Sequence, residues 1–146
     1  MVEVKLDSGV RGVRPVWGRR VVEETLTLEK MKGSQVSVFL TGNKEIRKIN
    51  KRYLNHDYAT DVISFWLENK HRVDSESKYL GDLVVSVEMA KNIAKEMKIP
   101  FKEELSRYLV HGTLHLLGYD DKKPKDKKRM HTRQENILNI ILSGRV

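Results

Sequence analysis

Residues 111–121 read His-Gly-Thr-Leu-His-Leu-Leu-Gly-Tyr-Asp-Asp, and the reading of the whole chain turns on them. On a helix, residues four apart lie on one face about one turn from each other, so His111 and His115 project side by side. Two imidazoles so placed can bind one metal ion, with the helix fixing their spacing. Gly118 is suited to end the helix in a left-handed turn. The chain then folds back and can present Asp121 as a third ligand. Two histidines and a carboxylate with one open position is the layout of a catalytic zinc site or a non-haem iron site. The competing reading is a pair of core histidines satisfied by hydrogen bonds; the Gly-Tyr-Asp-Asp turn at 118–121 favours the metal. In the HExxH pattern of zinc proteases a glutamate beside the first histidine is the general base. Here that position is Gly112, which speaks against an ordinary zinc protease. A glycine there leaves room for the close approach of another chain segment or a substrate.

Composition limits the function classes. A chain of 146 residues fits one domain, expected to span 1–146. Hydrophobic residues make up 39% and charged residues 33%, as in a globular protein with a heavily charged surface. The absence of cysteine excludes disulfides, thiol catalysis and thiolate metal sites, leaving His, Asp and Glu as ligands. No apolar run approaches the roughly 20 residues that span a bilayer, so no membrane role is expected. The first residues lack a basic-then-apolar leader, so the cytoplasm is the expected compartment. The net charge of +8 favours an anionic partner, nucleic acid first. Lys122, Lys123, Lys125, Lys127, Lys128 and Arg129 form one basic cluster against Asp126 alone, and Arg47, Lys48, Lys51 and Arg52 form another. Tyr53, Tyr58, Phe65 and Trp66 are candidate base-stacking surfaces, although Phe65 and Trp66 are expected in the core.

Periodicity places these residues on elements. Residues 2–6 and 35–40 alternate as strands, and 61–67 (DVISFWL) and 82–87 (DLVVSV) read as buried strands, the last entered through Gly81. Helices are expected over 16–31, from the Thr41-Gly42-Asn43 turn to Tyr53, over 88–98 before Pro100, over 101–117, and over 124–142. Residues 55–58 and 69–80 read as loops. About four strands and five helices in mixed order predict a compact α/β (α+β) domain, a mixed sheet packed with helices.

HGTLHLLGYD, with Met130 and Gln134-Glu-Asn-Ile-Leu138 downstream, resembles the signature of the YbeY family. Ile49-Asn50, Tyr53, Asp57 and Thr60-Asp-Val-Ile-Ser-Phe65 resemble a second block of that family, and Gly81-Asp82-Leu83-Val84 a third, so the likeness covers residues 35–142. The resemblance implies a zincin-like metal-dependent hydrolase architecture. It also implies a single-strand-specific metallo-endoribonuclease acting in 16S rRNA 3′-end maturation and ribosome quality control, with the small ribosomal subunit as partner. His111 and His115 then correspond to ligands of one Zn2+ per chain. Asp121 stands where the family has a third histidine and corresponds by position. Leu54 stands where the family usually has an arginine, and Ala59 where it has proline; Arg52, two residues from Leu54, is the nearest substitute. Arg52, Lys122, Lys123 and Lys125 are the expected RNA contacts, and Asp120 is expected to support the turn or a histidine from behind. Water on the ion, or the RNA's own 2′-OH, is the expected nucleophile, and no side chain is assigned as a general base. Ser64 and Asp82 occupy strand positions that either line the cleft or cap a turn. The replacements at Asp121 and Leu54 admit two other readings. One is a non-catalytic RNA-binding ribosome-assembly factor with an impaired metal site; the other is a metallohydrolase of a different ester or amide.

Overall fold

Alternating side chains build the centre of the molecule. In β2 (Gln35–Thr41), Val36, Val38 and Leu40 are buried on one face, while Ser37 and Phe39 turn to the other. The computed structural model describes residues 1–66 and 78–144. Around β2 the sheet runs β1 (Val2–Leu6), β2, β4 (Tyr79–Ser86), β3 (Val62–Trp66). The pairs β1–β2 and β2–β4 are parallel, and β3 joins β4 antiparallel as an edge strand.

The two faces are unequal. On one, α1 (Pro15–Leu28), α3 (Val87–Met97), α4 (Phe101–Leu116) and α5 (Pro124–Leu142) enclose the main core around Val38, Leu40, Leu83, Val85, Leu109 and Leu114. On the other, α2 (Asn43–Leu54) packs Ile46 against Ile63 and Val84. Burial of α4 on most of its circumference matches the apolar residues spread around it, and it is the element that carries both histidines.

Four strands and five helices stand among the described residues, in the expected order. Three boundaries differ for identifiable reasons. The helix expected over 16–31 ends at Leu28, because Lys30 turns to a φ of 61° and Met31 N–H bonds back to the Leu26 carbonyl. This is the double-bonded helix stop usually made by glycine, and Met31, read as helical, is the residue beyond it. The strand expected over 82–87 starts earlier, at Tyr79, so Gly81 lies inside it. A Cβ at Gly81 would sit 2.1 Å from the Phe65 carbonyl oxygen. The N-cap of α2 is Gly42, while the Thr41 hydroxyl donates to Asp7 and the Asn43 amide donates to Glu88 from the next helix. Leu67, expected to end β3, and residues 69–77, expected as loop, lie outside the described residues.

Candidate metal centre

The stop at the end of α4 makes the site. Leu117 caps the helix, Gly118 takes a φ of 101°, and its N–H bonds to the His115 carbonyl while Tyr119 N–H bonds to the Leu114 carbonyl. These two bonds form the Schellman turn expected of glycine at this position. The reversal points the Tyr119 carbonyl at the histidine one turn back, and His115 Nδ1 lies 3.0 Å from it. His111 Nδ1 lies 2.6 Å from Gln134 Oε1, on α5. Peptide and amide oxygens only accept, so each ring turns an Nδ1–H toward its partner. The Gln134 amide is itself oriented, because its Nε2 donates to Glu135.

In the neutral rings both Nε2 atoms are then acceptors, and they face each other at 3.2 Å. Asp121 Oδ2 is 3.4 Å from His115 Nε2, and the three ligand atoms lie within 4.8 Å of one another. Three convergent acceptors repel unless a cation sits among them. With zinc–ligand distances of about 2.0–2.2 Å, neighbouring ligands on a tetrahedron stand about 3.3–3.6 Å apart. The His111–His115 and His115–Asp121 spacings match that separation, His111 and Asp121 lie within 4.8 Å, and the two nitrogens plus one oxygen suit zinc chemically. The histidines are partly buried and Asp121 is exposed, so the cluster opens outward.

The surroundings hold this arrangement. Tyr119 donates its hydroxyl to Glu29 at the end of α1, and Arg133 of α5 binds the same carboxylate at 2.5 Å. Burial, then the Glu29 hydrogen bond, raises the Tyr119 pKa above that of an ordinary tyrosine. Arg107 clips α4 to α5 by binding Glu103, Glu104 and Glu135. Burial works to raise the Glu135 pKa, but the Arg107 and Gln134 hydrogen bonds outweigh it and hold the carboxyl below its usual range. Gly112 admits a chain segment rather than a substrate. A Cβ there would lie 2.9 Å from both Leu83 and Val62, and its carbonyl accepts a 3.0 Å bond from Ser64.

Asp120 accepts from the Lys122 amide and so organises the turn. Lys122, Lys123 and Lys125 are exposed on the segment entering α5. Arg52 lies on the α2 face, lining a groove of about 970 Å³ with Tyr53 and Phe65. Asp82 accepts from Tyr79 and lines the same groove. Leu54 is exposed, and so is Trp66, which contradicts the expected core position. Successive residues of a strand face opposite ways, so Phe65 and Trp66 cannot share one side. Gln134, the Tyr119 carbonyl and Glu29 were not assigned roles from sequence. Gln134 had a signal: it interrupts the buried stripe Met130, Gln134, Ile137, Ile141 of α5 with an amide.

A mixed-sheet α+β fold carrying an outward-facing His-His-Asp trio on a helix and its terminal turn has the layout of a metal-dependent class of protein, with the trio as its candidate centre. A family model described as endoribonuclease YbeY matches residues 15–141. The chain belongs to that family. It is 44% identical over 113 residues to the endoribonuclease YbeY of Bacillus licheniformis, covering 73% of this chain and 72% of that one. It is 40% identical over 134 residues to that of Bacillus cereus, covering 87% and 86%. The solution structure of TM1509 from Thermotoga maritima superposes with a TM-score of 0.68 at 24% identity, over 99% of this chain and 91% of that one, which supports the fold.

Proposed function

We propose that this protein is a metal-dependent endoribonuclease that cuts single-stranded RNA during ribosomal RNA maturation. The observation that carries the reading is the convergence of His111 Nε2, His115 Nε2 and Asp121 Oδ2 on one outward-facing point. His111, His115 and Asp121 would hold one Zn2+, which when bound supplies a Lewis acid for a phosphoryl oxygen and lowers the pKa of water. Gln134 and the Tyr119 carbonyl hold the two imidazoles in the required tautomer, the role such partners play behind metal-bound histidines. Asp120 sets the turn that presents Asp121.

Lys122, Lys123 and Lys125 are the proposed phosphate contacts beside the centre, and they make binding sensitive to salt. Arg52 is the proposed contact for RNA passing around the edge strand β3 to the α2 face. The likeness to named endoribonucleases supports an RNA substrate. The finer proposals are a 16S rRNA substrate on the small ribosomal subunit, one catalytic domain spanning 1–146, and a cytoplasmic location. Among the described residues no helix is long and apolar enough to cross a membrane.

Zinc content and cleavage of a single-stranded oligoribonucleotide, measured on the unmodified protein and on His111→Ala and Asp121→Ala, test the reading. About one zinc per chain is expected, lost with cleavage in both variants. Cleavage that survives thorough removal of metal would overturn it. RNA binding with no cleavage in the zinc-loaded protein would leave an assembly factor instead.

A further inference from the structure

The register of β3 against α4 brings one large aromatic side chain to the metal centre. Val62 and Ser64, on the α4 side of the strand, meet the helix at Gly112, where the missing side chain lets strand and helix touch. Two residues further along a strand is about 6.6–6.8 Å, and one turn along a helix is about 5.4 Å. Trp66 therefore arrives level with His115, one turn beyond His111. Its ring centroid lies 6.3 Å from that of His115, with the planes at 81°. Despite its size, Trp66 is 53% exposed. The fold thus holds a half-open indole against a metal-ligand candidate, at the edge of the sheet.

We propose that Trp66 is a base-stacking residue of this site, holding an unpaired nucleobase next to the phosphate engaged at His111, His115 and Asp121. The inference rests on the endoribonuclease reading and adds the contact that selects the form of RNA. A splayed base offers a free face to an aromatic ring, whereas both faces of a paired base are covered by its neighbours in the helix. Lys122 and Lys123 hold backbone charge of either form and do not discriminate. Stacking on Trp66 favours the single strand.

The test is fluorescence anisotropy with a short labelled single-stranded oligoribonucleotide carrying 2′-O-methyl riboses, using the zinc-loaded full chain. A stacked base is worth roughly 1–3 kcal/mol, so Trp66→Ala is expected to bind about 5- to 150-fold more weakly. Trp66→Phe should stay within a few-fold of the unmodified protein, and zinc content should be unchanged in both. A set of probes each lacking one base supplies the second reading. Removing the stacked base should weaken the unmodified protein and have little further effect on Trp66→Ala. Equal binding by Trp66→Ala, or abasic losses of the same size in both proteins, would overturn the stacking role while leaving the endoribonuclease intact. Failure of the unmodified, zinc-loaded protein either to bind or to cleave single-stranded RNA would overturn both readings.

Discussion

Replacing Gln134 by leucine separates the metal site from the fold that supports it. The side chain is 6% exposed, and its Oε1 lies 2.6 Å from His111 Nδ1. Leucine has a similar volume, so little cavity is created. The change leaves the imidazole N–H facing an apolar group, and an unpaired buried donor costs roughly 1–3 kcal/mol. His111 escapes that cost only by rotating or by moving its proton to Nε2, and either response removes it as a ligand. Partners of this kind typically contribute 10- to 100-fold to metal affinity, or about 1.4–2.7 kcal/mol, which agrees with the cost of the unpaired donor. Gln134→Leu is therefore expected to weaken zinc binding by that factor, read by competition with a chromophoric chelator. The lost bond to Glu135 is worth about 1 kcal/mol, a fall of roughly 2–4 °C in Tm for a chain of this size. A folded Gln134→Leu protein that binds zinc within two-fold of the unmodified protein would refute the orienting role and the tautomer inferred for His111.

Three further outcomes are expected. Tyr119→Phe removes the hydroxyl bond to Glu29 but keeps the carbonyl that faces His115; it should cost about 1 kcal/mol of stability and reduce zinc affinity less than Gln134→Leu does, by the same titration. Gly81→Ala forces a side chain onto a φ of 148° and against the Phe65 carbonyl, and should destabilise by at least about 2–3 kcal/mol in chemical denaturation. Glu135 is held below its usual range by Arg107 and Gln134, so its contribution to stability is complete above the ordinary glutamate pKa of about 4.3 and is lost as pH falls through the depressed folded value. Denaturation series should show a stability gap between the unmodified protein and Glu135→Gln that is present at neutral pH and closes under acid; a gap independent of pH would contradict the pairing.

What the sequence disclosed followed local rules. His111 and His115 are four apart on a long apolar helix, Gly118 breaks it, and Asp121 follows the break. Each step depends on near neighbours in the chain, and the structure places these residues as that logic implies. Long strongly periodic elements such as α5 were legible for the same reason. The partners of the histidines were less so. Gln134 reaches His111 across 23 residues and Glu29 reaches Tyr119 across 90, through helix packing that no local pattern encodes. Hydrophobicity alone puts Trp66 in the core, but strand alternation decides its place: Phe65 and Trp66 are both apolar, yet they belong to opposite sides of an edge strand. Periodicity carries α1 through Met31, but a lysine, rather than a glycine, takes the left-handed position that ends the helix.

The path from His115 to Asp121 has no spare residue. Gly118 is committed to the turn, Tyr119 uses its carbonyl for one histidine and its hydroxyl for a neighbouring helix, and Asp120 holds the amide two residues on. Chain length is therefore the constrained quantity in this segment. Adding or deleting one residue between Leu116 and Asp120 would carry the carboxylate away from the imidazoles even if every side chain named here were kept. Surface substitutions from Lys122 onward leave that path untouched. In loop grafting or directed evolution of this protein, the six-residue step from one ligand to the next acts as a ruler, and the exposed lysines beyond it are where variation can be admitted without dismantling the centre.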